Sequence, residues 1–143
     1  MFYFDTSFLT PLLLEEDTSA KVEAYVRRLP ASELYVSHWT RVEFASLLAR
    51  EVRMGGLEEK AALEIAERFE GLMAESYEVL TPQPADYELA RQYVLNFPTA
   101  LRGGDALHVA IAKNHGAAKL LTLDEGLLKA AKLLKVPASR GIR

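Results

Sequence analysis

Short apolar runs alternate with longer amphipathic stretches along this chain, and that alternation limits its fold more than any other feature. Phe2-Tyr3-Phe4, Leu34-Tyr35-Val36-Ser37, Glu78-Val79-Leu80 and Lys119-Leu120-Leu121-Thr122 read as strands. The segments between them carry apolar residues at helical spacing. Val22, Tyr25, Val26 and Leu29 recur at i, i+3, i+4 and i+7, and Ala62, Ile65, Phe69, Leu72 and Met73 share another face. Strands that alternate with helices predict a parallel sheet covered on both sides. We therefore expect one domain over residues 1–143, a three-layer α/β/α sandwich with a central, mostly parallel sheet.

Local signals set the expected boundaries. Asp5, Thr6 or Ser7 can cap a first helix with Pro11 in its first turn, and Asp17-Thr18-Ser19 opens a second that Pro30 closes. Thr40-Arg41-Val42-Glu43 has the capping-box pattern and starts a third, which Gly55-Gly56 ends. A fourth follows over about 57–75, after almost no loop. Pro84 begins a fifth helix that places Leu89, Ala90, Tyr93, Val94 and Phe97 toward the core, with Pro98 as its stop. A sixth runs from near Asp105 to Asn114, and a last one covers about 125–134. Val136-Pro137 suits a brief edge strand, because proline cannot donate to a ladder.

The bulk properties narrow the function classes. Half of the 143 residues are hydrophobic and 26% are charged, as in an ordinary folded domain. With no cysteine, the chain has no disulfide, thiolate metal site or cysteine nucleophile. No apolar run is long enough to span a membrane, and the N-terminus lacks the pattern of a secretion signal. A cytoplasmic location without a membrane partner is the expectation. Net charge is −3, yet Lys129, Lys132, Lys135, Arg140 and Arg143 give residues 126–143 a charge of +5 with no acid, leaving −8 for the rest. A polyanion could meet this end locally.

Four carboxylates stand out by position. Asp5 and Asp124 each follow a strand, and strand ends in a parallel sheet share one edge, where ligands bind. Glu43 and Asp105 fall in the first turns of helices that could cross that edge. Each acid alone is explained as a helix cap. Together they would repel one another unless a cation is bound, and an oxygen-rich set suits Mg²⁺ or Mn²⁺. Water activated by such a metal is a natural nucleophile for a phosphodiester.

The run Tyr3-Phe4-Asp5-Thr6-Ser7 resembles the opening of a PIN domain. Thr40-Arg41-Val42-Glu43-Phe44-Ala45-Ser46-Leu47 resembles its second motif, and Leu101 through Ala112, with Gly103-Gly104-Asp105-Ala106-Leu107-His108, its third. Leu121-Thr122-Leu123-Asp124-Glu125-Gly126-Leu127 matches the fourth. All four stand in family order, and the chain is further similar to VapC-type toxins of toxin–antitoxin pairs. The resemblance implies a PIN-like fold and a metal-dependent endoribonuclease with Asp5, Glu43, Asp105 and Asp124 as its catalytic and metal-binding quartet. It implies Mg²⁺ or Mn²⁺ as cofactor, RNA as substrate, a cognate antitoxin and a homodimer. Thr6 and Ser7 would support the site by hydrogen bonding to a ligand or to water, and Glu125 is the nearest candidate for an additional acid.

Other residues are read from chemistry alone. Arg102 and Arg41 are the expected phosphate contacts, and each could instead pair with a surface carboxylate. His108, three residues after Asp105, is a general base or a hydrogen-bonded structural histidine. Tyr35 and Trp39 are expected to pack rather than stack on bases. A haloacid-dehalogenase phosphatase would need a second aspartate where Ser7 stands, a receiver domain would need an acidic pair and a phosphoacceptor strand, and no Gly-x-x-x-x-Gly-Lys run is present. The remaining alternative is a non-catalytic PIN-like module that binds RNA or protein.

Overall fold

Tyr3 and Phe4 set the layers of the protein, because neighbouring residues of a strand face opposite sides of a sheet. In the computed structural model, which describes all 143 residues, both are fully buried, in different cores. They belong to β1 (Phe2–Phe4), the middle strand of a five-stranded sheet that also holds β2 (Leu34–Ser37), β3 (Glu78–Leu80), β4 (Lys119–Leu121) and β5 (Ala138–Ser139). The order is β3-β2-β1-β4-β5 and every pairing is parallel. Tyr3 lies opposite Tyr35 on one side and Leu120 on the other.

Seven helices cover the two faces. Phe4 meets the core formed with α1 (Thr6–Leu13), α2 (Ser19–Arg27), α3 (His38–Arg53) and α4 (Glu59–Ser76). Within it the rings of Phe44 and Phe69 stack at 4.1 Å and join α3 to α4. Tyr3 meets the core built from α5 (Pro84–Leu95), α6 (Gly103–Asn114) and α7 (Glu125–Leu133). The result is the expected three-layer sandwich, with the sheet wholly parallel. No helix is long and apolar enough to cross a membrane.

Several boundaries depart from the sequence reading. Ser37, not Thr40, caps α3: the Ser37 side chain accepts from the Thr40 backbone, and the Thr40 hydroxyl accepts from the Ser37 N–H. Glu43 is thereby released from capping, which suits a carboxylate required elsewhere. Asp5 starts α1 at Thr6, so Pro11 lies in the second turn of that helix rather than the first. Asn96 ends α5, and Phe97 opens a separate 3₁₀ turn with its ring 77% exposed instead of in the core. The last strand forms two residues later than expected, at Ala138–Ser139, while Pro137 contributes only its carbonyl, to the N–H of Leu120. Gly55, at φ 78°, makes the tight turn out of α3 that a side chain would strain.

Candidate active site

The parallel sheet sends β1, β2 and β4 toward a single edge. Chain connections leave β1 toward β2 and β3, then return across to β4, so β1 and β4 flank the switch point where such sheets form a crevice. Asp5 directly follows β1. Thr122, Leu123 and Asp124 follow β4. Asp105 lies in the first turn of α6, and Glu43 in the second turn of α3. All four acids line one cleft of about 490 Å³, together with Thr6 and Ser7.

Asp5 is 3% exposed and completely held. Its Oδ1 accepts from the Ser7 hydroxyl at 2.8 Å and the Phe8 N–H at 3.2 Å, and Oδ2 accepts from the Thr122 hydroxyl at 2.9 Å. Ser7 also accepts from the Leu123 N–H, and Thr122 from the Asp124 N–H, so two hydroxyls stitch the ends of β1 and β4 together. Burial pushes the Asp5 carboxyl up to about 6, against the opposing pull of the His108 charge and the hydrogen bonds from Ser7, Thr122 and Phe8.

Glu43 is held from two sides. Thr6 donates to its Oε1 at 2.6 Å, and His108 Nε2 reaches the same oxygen. The other nitrogen of His108 meets the Tyr3 hydroxyl at 2.8 Å, which in turn lies 2.9 Å from the Ser37 hydroxyl. Because a carboxylate only accepts, His108 donates through Nε2, while its Nδ1 and the Tyr3 hydroxyl share the second hydrogen bond. A buried chain thus runs from the cap of α3 through β1 and α6 back to Glu43. No buried side-chain polar atom in the protein lacks a partner. Burial would raise Glu43, but the hydrogen bond and charge of His108, with the Thr6 hydroxyl, outweigh it and hold the carboxyl below its usual range. Burial above all pushes the Tyr3 phenol far upward, so it stays neutral.

Asp105 differs from the other three. No donor of the protein reaches it, and its carboxyl is raised by burial and then by the negative charges of Asp124 and Glu43, against the pull of His108 and Arg102. Asp124 caps α7 through Oδ1, which accepts from the Leu127 N–H at 2.9 Å, leaving Oδ2 without a protein donor. The helix-cap reading of Asp5 and Asp124 is therefore correct, and it leaves both in the cleft. Gly104 allows α6 to approach: a Cβ there would stand 3.0 Å from Glu43 Oε2 and 3.1 Å from the Trp39 ring.

No three acidic or imidazole side chains stand at direct metal-ligand spacing. The donor set nonetheless fits a hard divalent cation. Asp105, Asp124 Oδ2 and Glu43 Oε2 offer oxygens that no protein donor uses, in a site where burial and the charges of Asp124 and Glu43 raise Asp105. Mg²⁺ retains several waters and needs only one or two carboxylates from the protein.

The remaining expectations divide. Thr6 and Ser7 line the cleft and donate to Glu43 and Asp5. Glu125 pairs with Arg140 at 2.5 Å and does not line the cleft. Arg41 is gripped by both oxygens of Glu70 and also stays outside it, as does exposed Arg102. His108 is buried within the support of Glu43, which favours the structural alternative. Trp39 packs, its Nε1 donating to the Gly104 carbonyl. Thr122 was not singled out in the sequence, although a hydroxyl two residues before Asp124 was its signal. Arg50 and Arg53 were missed too, although Glu43, Ser46, Leu47, Arg50 and Arg53 share one face of α3 and all line the cleft.

Known proteins share the family and the fold of this chain. A family model described as "PIN domain" matches residues 2–133. The solved structure of VapC20 from Mycobacterium tuberculosis, a toxin that cleaves the Sarcin-Ricin loop, is 17% identical, covers 91% of this chain and 95% of its own, and has a TM-score of 0.71. FitAcB from Neisseria gonorrhoeae is 22% identical over 99% and 98%, with a TM-score of 0.77. VapBC-1 from nontypeable Haemophilus influenzae is 17% identical over 97% of each chain, at 0.66. No curated protein matches the sequence.

Proposed function

This chain belongs to the PIN domain family, and from that premise we propose that it is a divalent-metal-dependent endoribonuclease, the toxin of a toxin–antitoxin pair. The observation that carries the reading is Asp105: a half-buried carboxylate without a donor, raised by burial and then by two neighbouring acids in the cleft they share. Such a cluster awaits a cation. Asp105 and Asp124 would hold Mg²⁺ or Mn²⁺, with Glu43 and Asp5 contributing directly or through water. When bound, the cation supplies Lewis-acid polarisation of a phosphoryl oxygen and activation of water for attack on phosphorus.

The chain's own residues supply order. Ser7 and Thr122 fix Asp5 to the ends of two strands, and His108 with Thr6 fixes the rotamer of Glu43. Burial of these partners keeps the acids in place without a metal, so little reorganisation opposes its binding. The VapBC and FitAcB neighbours support an antitoxin as the protein partner, and the homodimer is proposed on the family resemblance alone.

The purified protein should cut RNA when Mg²⁺ or Mn²⁺ is present and stop when the ion is chelated. Asp5→Asn should lose at least about a hundredfold in cleavage rate while remaining folded, since several kcal/mol of charge stabilisation depend on the cluster. Undiminished cleavage by that variant would sink the mechanism. The non-catalytic alternative draws on one observation, the absence of three side chains at ligand spacing. It requires that Mn²⁺ leave the melting temperature of the wild type unchanged, whereas the nuclease reading requires a rise.

A further inference from the structure

Arg50 and Arg53 occupy the same cleft as the acids, yet neither forms an ion pair or a side-chain hydrogen bond within the chain. Of the six arginines without a carboxylate partner (Arg28, Arg50, Arg53, Arg68, Arg102 and Arg143), these two alone line the cleft. Both are exposed, on the face of α3 that begins at Glu43. At about 1.5 Å of rise per residue they stand roughly 10 and 15 Å along the helix from Glu43. The cleft therefore has an acidic end and a cationic end, separated by Ser46 and Leu47.

We propose, on the basis of the endoribonuclease reading, that the RNA strand runs from the acidic cluster along this face of α3, with Arg50 and Arg53 holding phosphates beside the scissile one. A planar guanidinium grips a phosphate with two parallel N–H bonds, and an unpaired one sacrifices no existing ion pair to do so. The separation of the two ends matches a substrate that is anionic along its whole length, whose reacting phosphate alone must meet the carboxylates and their cation. No other basic side chain lines this cleft. A second basic surface exists, where Lys129, Lys132, Lys135 and Arg140 line a groove of about 620 Å³, but that groove includes none of the acids. The α3 path is favoured because it is continuous with the site.

The test separates binding from cleavage by using the Asp5→Asn protein and a fluorescently labelled single-stranded RNA. Adding Arg50→Gln and Arg53→Gln should weaken binding roughly tenfold or more at low salt. It should also make the plot of log affinity against log salt shallower by about 1.4, at about 0.7 for each phosphate no longer neutralised. The melting temperature and the Mn²⁺ affinity should be retained. Arg50→Lys with Arg53→Lys should keep the slope and recover part of the affinity, because an ammonium retains the charge without the fork. Unchanged affinity and slope in the glutamine variant would overturn the path. So would an equal loss confined to Lys129→Gln with Lys132→Gln, or no RNA binding by the Asp5→Asn protein itself. Cleavage is read separately on the wild type: if RNA is bound through the arginines but never cut, the nuclease reading fails and the path stands.

Discussion

Two aspartates are almost fully buried in this protein, Asp5 at 3% exposure and Asp86 at 1%, and their surroundings are opposite. Asp86 lies in the first turn of α5. Nitrogen donors surround it: the Gln83 N–H at 2.8 Å, Asn114 Nδ2 at 2.8 Å and His115 Nε2 at 3.3 Å. It ties the start of α5 to the end of α6, and no second acid is involved. Asp5 receives two hydroxyls and one backbone N–H, in a cleft with three more carboxylates. One buried carboxylate has both oxygens met by donors of the chain and acts as a clasp. The other is ordered by its setting but left electrostatically unfavourable, as expected for a group whose partner comes from outside.

The contrast is broken most severely at Asp86. Asp86→Ala leaves three donors without their acceptor and should cost about 2–4 kcal/mol in denaturant unfolding. RNA cleavage per folded molecule should be unchanged, because the cleft is not touched. If instead cleavage fell while stability held, the division between clasp and site would be wrong.

Asp5→Asn should act in the other direction, with a definite pH signature. Folding raises this carboxyl from 3.8 to about 6. Between those values the folded protein holds a proton that the unfolded chain has released, so wild-type stability falls as pH rises through the window and then levels off. Asparagine removes that slope. The variant's advantage should be near zero at pH 4 and at most about 3 kcal/mol above pH 6, read as melting temperature against pH. Saturating Mn²⁺ should shrink it, since the ion stabilises the wild type more. A pH-independent difference would mean that Asp5 carries no such penalty.

The smallest change sharpens the clasp. His115 is partly exposed and its contact with Asp86 is long, so His115→Ala should cost only about 0.5–1 kcal/mol. A loss as large as that of Asp86→Ala would make the histidine, not the amide of Asn114, the main donor.

Features that depend on local periodicity were legible in the sequence. The strand runs and the spacing of Val22, Tyr25, Val26 and Leu29 follow from residue type and order, and the positions of Asp5 and Asp124 follow from strand ends meeting at one edge. Features fixed by partners distant in sequence were not. Nothing near Asp86 announces Asn114 and His115, and Thr122 reads as an ordinary strand residue until Asp5 is placed beside it. The Thr40–Glu43 pattern looked like a cap because the true cap, Ser37, also fits a strand. Phe97 suggested the core, but its helix ends at Leu95 with Asn96 as the cap. Arg41 and Arg102 drew attention by adjacency to the motifs, whereas Arg50 and Arg53 gain meaning only once α3 lies along the cleft.

Tyr3 and Phe4 have one further consequence, for how the chain finds its fold. They differ by a single hydroxyl, yet the Tyr3 face offers His108 and Ser37 as partners while Phe4 is packed among the rings of Phe8 and Tyr77. A one-residue slip of β1 would exchange the two faces, leaving a phenol in an apolar core and depriving Ser37 and His108 of one hydrogen bond each. Hydrophobicity alone would scarcely oppose that mistake, because either ring fills either space. The single hydroxyl therefore discriminates between the two registers of the central strand, favouring the one that sets Asp5 at its observed depth.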